Sequence, residues 1–252
     1  MHKIISVIVL GFVGCANAWD VRDHRDLTDD QKNEIFTKNG LPWPGMGAQV
    51  VPASSMAQSI KEKIKKNSFA IADKGYIDED NFDAKTLLDV KKLSENDLMD
   101  NLSNNNTKST HMRANAQAIN TAYSYNGVPP EIVKEIIGFS PLGAYMEGKK
   151  GWTGAIEFFE PQVLEKTTCS YSQSNLRLTG GTASIAKEIA SYVVNNKLSV
   201  VEVIGNTKTG FAYTVEWYDD NYRSVLTCAQ DTYSKDTINK VLEMAKLIDT
   251  SI

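Results

Sequence analysis

The chain has few of the residues that carry acid–base and metal chemistry. It contains three histidines and three cysteines in 252 residues. His2 and Cys15 lie within the first 18 residues, and His24 and His111 stand far from each other and from the remaining cysteines. A zinc site needs a cluster of such ligands, so no metal or other cofactor is expected. No Gly-x-Ser-x-Gly elbow is present, and Gly138-Phe139-Ser140-Pro141 sets a proline where the helix behind a nucleophile must begin. No apolar run reaches the roughly 20 residues that a transmembrane helix requires. There is no polybasic segment, and the formal net charge is −4. Nucleic acid, whose phosphates must be neutralised by Lys and Arg, is therefore not an expected partner.

What the chain does have begins at its start. Met1-His2-Lys3 is a short positive segment, Ile4 to Val13 is apolar, and Gly14-Cys15-Ala16-Asn17-Ala18 ends in the small-x-small form that signal peptidase cleaves. Residues 1–18 therefore read as a secretory signal peptide, with a mature protein beginning at Trp19 in the periplasm, at the outer membrane or outside the cell. A second reading takes Phe12-Val13-Gly14-Cys15 as a lipobox, with Cys15 as a lipid-bearing N-terminus, although Phe12 stands where Leu is usual. Removing the leader takes away one lysine and no acid, which moves the net charge to −5. Under both readings Cys169 and Cys228 remain, and an even count in an oxidising compartment predicts one disulfide.

Periodicity divides the mature chain. Thr28-Asp29-Asp30-Gln31 is a capping box that opens a short helix to about Lys38. Leu41-Pro42-Trp43-Pro44-Gly45 is a loop. Ser54 to Asp73 and Asp83 to Leu98 have helical apolar stripes, and an Ala-rich segment from Thr110 to Tyr125 reads as a further helix after the Asn-rich loop 101–107. A short helix restarts at Pro129-Pro130-Glu131, and the glycines from Gly138 to Gly154 mark a boundary. Beyond it, period-2 alternation predicts strands at Trp152–Glu160, Leu176–Leu178, Leu198–Ile204, Phe211–Trp217 and Tyr222–Cys228. Ala183 to Ser191 reads as a short helix and Thr237 to Ile248 as a final amphipathic one, while Val194-Asn195-Asn196-Lys197 fits either a hairpin turn or a helix exit. The expected architecture is α+β: a helical region over 19–150, then an antiparallel sheet flanked by helices with one disulfide over 151–252.

Each chemical motif has a simpler explanation. Gly143 to Lys150 nearly spells a phosphate-binding loop, but Lys150 replaces the Ser/Thr that binds magnesium and a strand follows where a helix should. Asp73 to Asp78 approaches a calcium loop, but Ala70, Ala72 and Lys74 fall on ligand positions. Glu157 and Glu160, offset by three on a strand, point to opposite faces, whereas a glycosidase needs two convergent acids. Glu202 and Glu216 are placed to be cross-strand neighbours. The sheet region is dense in aromatics, half of which suffice for its core. Trp43, Phe159, Tyr213 and Trp217 are taken as a candidate partner surface.

The texture from Ile136-Ile137-Gly138-Phe139 through Gly151-Trp152-Thr153-Gly154-Ala155-Ile156-Glu157-Phe158-Phe159-Glu160 to Glu216-Trp217-Tyr218-Asp219-Asp220 resembles small exported proteins of Legionella-like bacteria. Some of those are accessory parts of the Dot/Icm type IV secretion outer-membrane complex. The resemblance carries no diagnostic motif and transfers no site residue. Two functions are expected in consequence. The first is a non-enzymatic, exported binding or structural component of an envelope assembly such as a secretion system, with another envelope or host protein as partner. The alternative is a secreted hydrolase or virulence factor acting on host or cell-wall polymers.

Overall fold

The computed structural model describes residues 47–101, 112, 114, 116, 119–179, 182–190, 192–219 and 221–250. The leader, Cys15, the helix expected at 28–38, the Pro-rich loop with Trp43, the Asn-rich loop beyond residue 101, and His24 and His111 lie outside them.

The architecture is α+β, built on a seven-stranded sheet in the order β2-β3-β4-β9-β8-β7-β6. The strands are β2 (Val133–Met146), β3 (Gly151–Pro161), β4 (Thr168–Asn175), β6 (Tyr192–Val194), β7 (Lys197–Asn206), β8 (Gly210–Tyr218) and β9 (Tyr222–Gln230). Every neighbouring pair is antiparallel. The sheet is thus two meanders, β2-β3-β4 and β6-β7-β8-β9, joined along β4 and β9. A separate parallel ribbon pairs β1 (Gly47–Val51) with β5 (Thr182–Ala186). The helices are α1 (Gln58–Lys74), α2 (Phe82–Asn101), the single turn α3 (Leu176–Thr179) and α4 (Lys235–Thr250).

Strand alternation sends opposite residues to the two faces. On one face Phe159, Tyr171, Val201, Val203, Phe211, Tyr213, Val215, Trp217 and Leu226 meet Ile238, Val241, Leu242, Ala245 and Ile248 of α4. The opposite face packs Phe158, Ala212 and Ala229 under Ala84, Leu87 and Val90 of α2. Beside that contact, Leu198, Val200 and Tyr218 meet Ile64 of α1 and the β1–β5 ribbon. The two helices on this face are joined through local signals. Gly75, at φ 82°, ends α1 with its N–H on the Ile71 carbonyl. Asn81 then opens α2, its Oδ1 accepting the Ala84 N–H at 3.0 Å while its Nδ2 donates to the Ile204 carbonyl.

Several segments depart from the sequence reading. Val133–Met146 is an edge strand, so the expected boundary at 150 falls in the turn between two strands of one sheet. The short helix expected from Pro129 is reduced to the 3-10 turn Pro130–Ile132. Among the described residues of the Ala-rich segment there is no α-helix. Instead the Trp152 N–H donates to the Asn120 carbonyl and the Ala122 N–H to the Trp152 carbonyl, so sheet pairing overrides the local alanine preference. Leu176–Leu178 coils into α3 rather than extending, because Asn175 Oδ1 caps the Leu178 N–H. Residues 182–186 are a strand, since β1 offers them a parallel partner more than a hundred residues upstream. The Asn195-Asn196 step is a hairpin turn, with φ of 44° and 69°.

Candidate functional site

The disulfide sits where the two meanders join. Cys169 of β4 and Cys228 of β9 are directly opposed, bonded at 2.06 Å and fully buried. The pairing expected from the cysteine count is the one present.

Next to it lies the most unusual polar cluster on the α4 side of the sheet. Period 2 in β3 places Glu157 on the same face as Ala155 and Phe159, opposite Tyr171 of β4 and Phe139 of β2. Glu157 is only 3% exposed, although a surface position is the ordinary expectation for it. The reason is the segment 123–132, which crosses this face as a strap. Gly127 presses against the carboxylate so closely that a Cβ there would stand 2.7 Å from Glu157 Oε2. The same oxygen accepts the Val128 N–H at 2.9 Å. Burial pushes the carboxyl up to about 7, and the single N–H bond opposes this only in part. Among the described residues no cation pairs with it.

The surroundings are tyrosines. The Tyr125 ring stacks over Tyr171 at 6.3 Å, and Tyr171 stacks in turn on Trp217 at 6.0 Å. Tyr123 reaches across to donate to the Gln173 carbonyl at 2.8 Å. Burial pushes the Tyr123, Tyr125 and Tyr171 hydroxyls up, and the Glu157 charge adds to the shift at Tyr125. Two polar atoms are left without a partner among the described residues, Tyr125 Oη and Gln173 Oε1. The Gln173 amide donates instead to Tyr171 Oη at 3.2 Å, and that hydroxyl shares a bond with Ser224 Oγ at 3.3 Å.

A second polar group lies on the opposite face, under α1. Glu216 takes Arg223 through two bonds, from Nε at 2.6 Å and from Nη2 at 3.2 Å, and also accepts the Tyr218 hydroxyl. Glu202, diagonal to it on β7, is 4% exposed and its Oε1 has no partner among the described residues. Burial raises its carboxyl well above the usual range, with Glu216 and Glu79 adding to the effect and Lys63 opposing it. Asn67 of α1 is also buried, with neither amide atom partnered among the described residues.

The candidate partner surface does not survive burial. Phe159, Tyr213 and Trp217 are 0%, 1% and 1% exposed, because both faces of the sheet are covered and their face is the one under α4. Trp217 is further tied by its Nε1 to Asp249 Oδ1 at 2.9 Å. Trp43 and Cys15 lie outside the described residues. Among the described residues the large exposed aromatics are instead Phe69 of α1 and Phe82 of α2, at 66% and 71%. The sequence contained the signal for the first. At 100° per residue Phe69 sits about 140° from Ile64, off the apolar stripe, where a phenylalanine has no core to fill.

The acids do not converge. Glu160 points away from Glu157 and pairs with Lys91 at 3.2 Å and Lys134 at 3.2 Å, which hold its carboxyl low. Glu147 lies in the 3-10 turn Glu147–Lys149 between β2 and β3, where the phosphate-loop likeness also falls. Among the described residues no three His, Cys, Asp or Glu gather to hold a metal ion, and no helix is long and apolar enough to cross a membrane. Compared with known proteins, the chain matches no family model, no curated protein and no solved structure.

Proposed function

We propose that the protein is an exported, non-enzymatic binding or structural component of a bacterial envelope assembly, such as a secretion system, with an envelope or host protein as its partner. The observation that carries this reading is the Cys169–Cys228 disulfide, fully buried at the seam of the two meanders. A structural disulfide of this kind belongs in an oxidising compartment, in keeping with the leader at residues 1–18. Binding is assigned to the helical side of the molecule, where Phe69 and Phe82 stand exposed, rather than to the buried aromatics of the sheet. A mature net charge of −5 favours a protein partner over nucleic acid.

The intact mass of the protein recovered from its native cells tests this. A species starting at Trp19 and lighter by two hydrogens supports export with the disulfide closed. A diacyl or triacyl increment at Cys15 supports an anchored form of the same proposal. A full-length species with both thiols free overturns it.

A second reading, a secreted hydrolase acting on host or wall polymers, has one observation in its favour: Glu157 is buried with its carboxyl near neutrality. Among the described residues no second acid converges on it: Glu160 points the other way, and Asp249 of α4 is tied to Trp217 Nε1 and Lys197. Degradation of cell-wall or host glycan by the wild type, abolished by Glu157→Gln, would establish this reading over the first.

A further inference from the structure

We propose that the strap over residues 123–132 is a pH-sensitive cover, closed while Glu157 is protonated and released when it ionises. Between Tyr123 and Ile132, the hydrogen bond from Val128 N–H to Glu157 Oε2 is the one that ties the strap to the sheet among the described residues. At its ends the strap is held independently of that carboxyl. Asn120 and Ala122 pair with Trp152, and the Ile132 carbonyl accepts the Gln162 N–H. In the middle, Tyr125 stacks on Tyr171 and Val128 packs into the core, and the one polar tie to the sheet among the described residues is the Glu157 carboxyl.

That side chain is satisfied in only one of its two states. Ionised, Glu157 presents two oxygens to a single N–H donor, without a cation, among tyrosine rings. The titratable groups facing it are Tyr125 and Tyr123 from the strap and Tyr171 from β4, all held neutral by burial. Protonated, it gains an O–H, and Gln173 Oε1 in its surroundings is an acceptor without a donor among the described residues, whereas the unpartnered Tyr125 hydroxyl can donate to either state. Gln173 is the diagonal neighbour of Glu157 across β3 and β4, within the reach of long side chains. The neutral carboxyl therefore brings a donor to the side of the sheet where Gln173 Oε1 lacks one, and the charged one leaves that acceptor open beside a buried anion without a cation. Tight packing of Gly127 on the carboxylate leaves little room for water to solvate that anion while the strap is down. Lifting the strap hydrates the charge and uncovers the Tyr171 face. The carboxyl titrates near neutrality, which puts the change in a range an exported protein meets.

Hydrogen exchange of the full-length protein, read residue by residue from pH 5.5 to 8.5 and corrected for intrinsic base catalysis, tests this. The expected result is protection at Tyr125–Val128 that falls by tenfold or more between pH 5.5 and about 7 and levels off above it, while the β4–β9 seam keeps its protection. In Glu157→Gln, which stays neutral, the same amides stay protected throughout. Glu202→Gln removes the other buried carboxyl with a raised pKa and leaves the strap profile unchanged. If Glu157→Gln does not fold, the wild-type and Glu202→Gln profiles decide. Strap protection independent of pH, or a strap profile that Glu202→Gln flattens, overturns the proposal.

Discussion

Cutting the link between Cys169 and Cys228 probes how the two meanders are held together. The disulfide closes a loop with a sequence separation of 59. For a loop of that size the chain-entropy relation gives about 14 cal/mol/K, or about 4 kcal/mol at about 25 °C. Total stabilities of such domains run from about 5 to 15 kcal/mol, so the loss takes a large share. The double variant Cys169→Ala/Cys228→Ala is nonetheless expected to fold. The β4–β9 ladder extends on both sides of the pair, from Thr168↔Ala229 to Asn175↔Tyr222, and backbone pairing does not need the sulfurs. Urea unfolding followed by tryptophan fluorescence is the assay, since Trp217 is buried beside the seam. With a slope of about 2 to 3 kcal/mol/M, the midpoint falls by about 1.3 to 2 M. Because both cysteines are 0% exposed, reductant should cleave the native protein only as fast as it opens. A midpoint shift below about 0.3 M, or reduction at equal rates in buffer and in unfolding urea, would refute the view that this bond holds the seam.

Glu157 binds a proton more tightly folded than unfolded, so its contribution is full below about pH 4.5 and is lost as pH rises through about 7. Across that window wild-type stability should fall by about 3 kcal/mol relative to Glu157→Gln, read by denaturant titration at each pH. Glu202, raised in the same sense by burial, should give a stabilised Glu202→Met at neutral pH, by about 1 to 2 kcal/mol, because a buried carboxyl group with an unpartnered oxygen disappears; a destabilised variant would show a partner that Oε1 is not seen to have. Arg223→Ala leaves the buried Glu216 without its two guanidinium bonds and should cost about 3 kcal/mol by thermal unfolding, with Arg223→Lys recovering only part because it cannot make both bonds. Phe69→Ser and Phe82→Ser, on exposed positions, should leave the midpoint within about 0.5 kcal/mol of wild type while weakening any partner binding; a loss of stability instead would place these rings in packing.

The features legible in the chain are those written in neighbouring residues. The Cys169–Cys228 pair follows from a count of two cysteines beyond the first 18 residues. The hairpins of β7, β8 and β9 announce themselves through period-2 alternation around Gly205–Gly210 and Asp219–Asn221. Gln58–Lys74, Phe82–Asn101 and Lys235–Thr250 carry stripes that repeat within one turn. What depends on contacts distant in sequence stayed hidden. The β1–β5 ribbon pairs residues more than a hundred positions apart, and the end of the Ala-rich segment, at Asn120 and Ala122, pairs with the Trp152 backbone rather than continuing a helix. The same holds for the roles of single side chains. Alternation placed Glu157 on one face of its strand, but whether that face met water or a strap depended on Gly127 and Val128, some thirty residues earlier. Aromatic density near the sheet likewise could not say which rings were inside. With α4 over one face and α1 and α2 over the other, Trp217 and Tyr213 became core and Phe69 became surface. Period and composition are local properties of the chain, whereas burial is settled by which elements pack together.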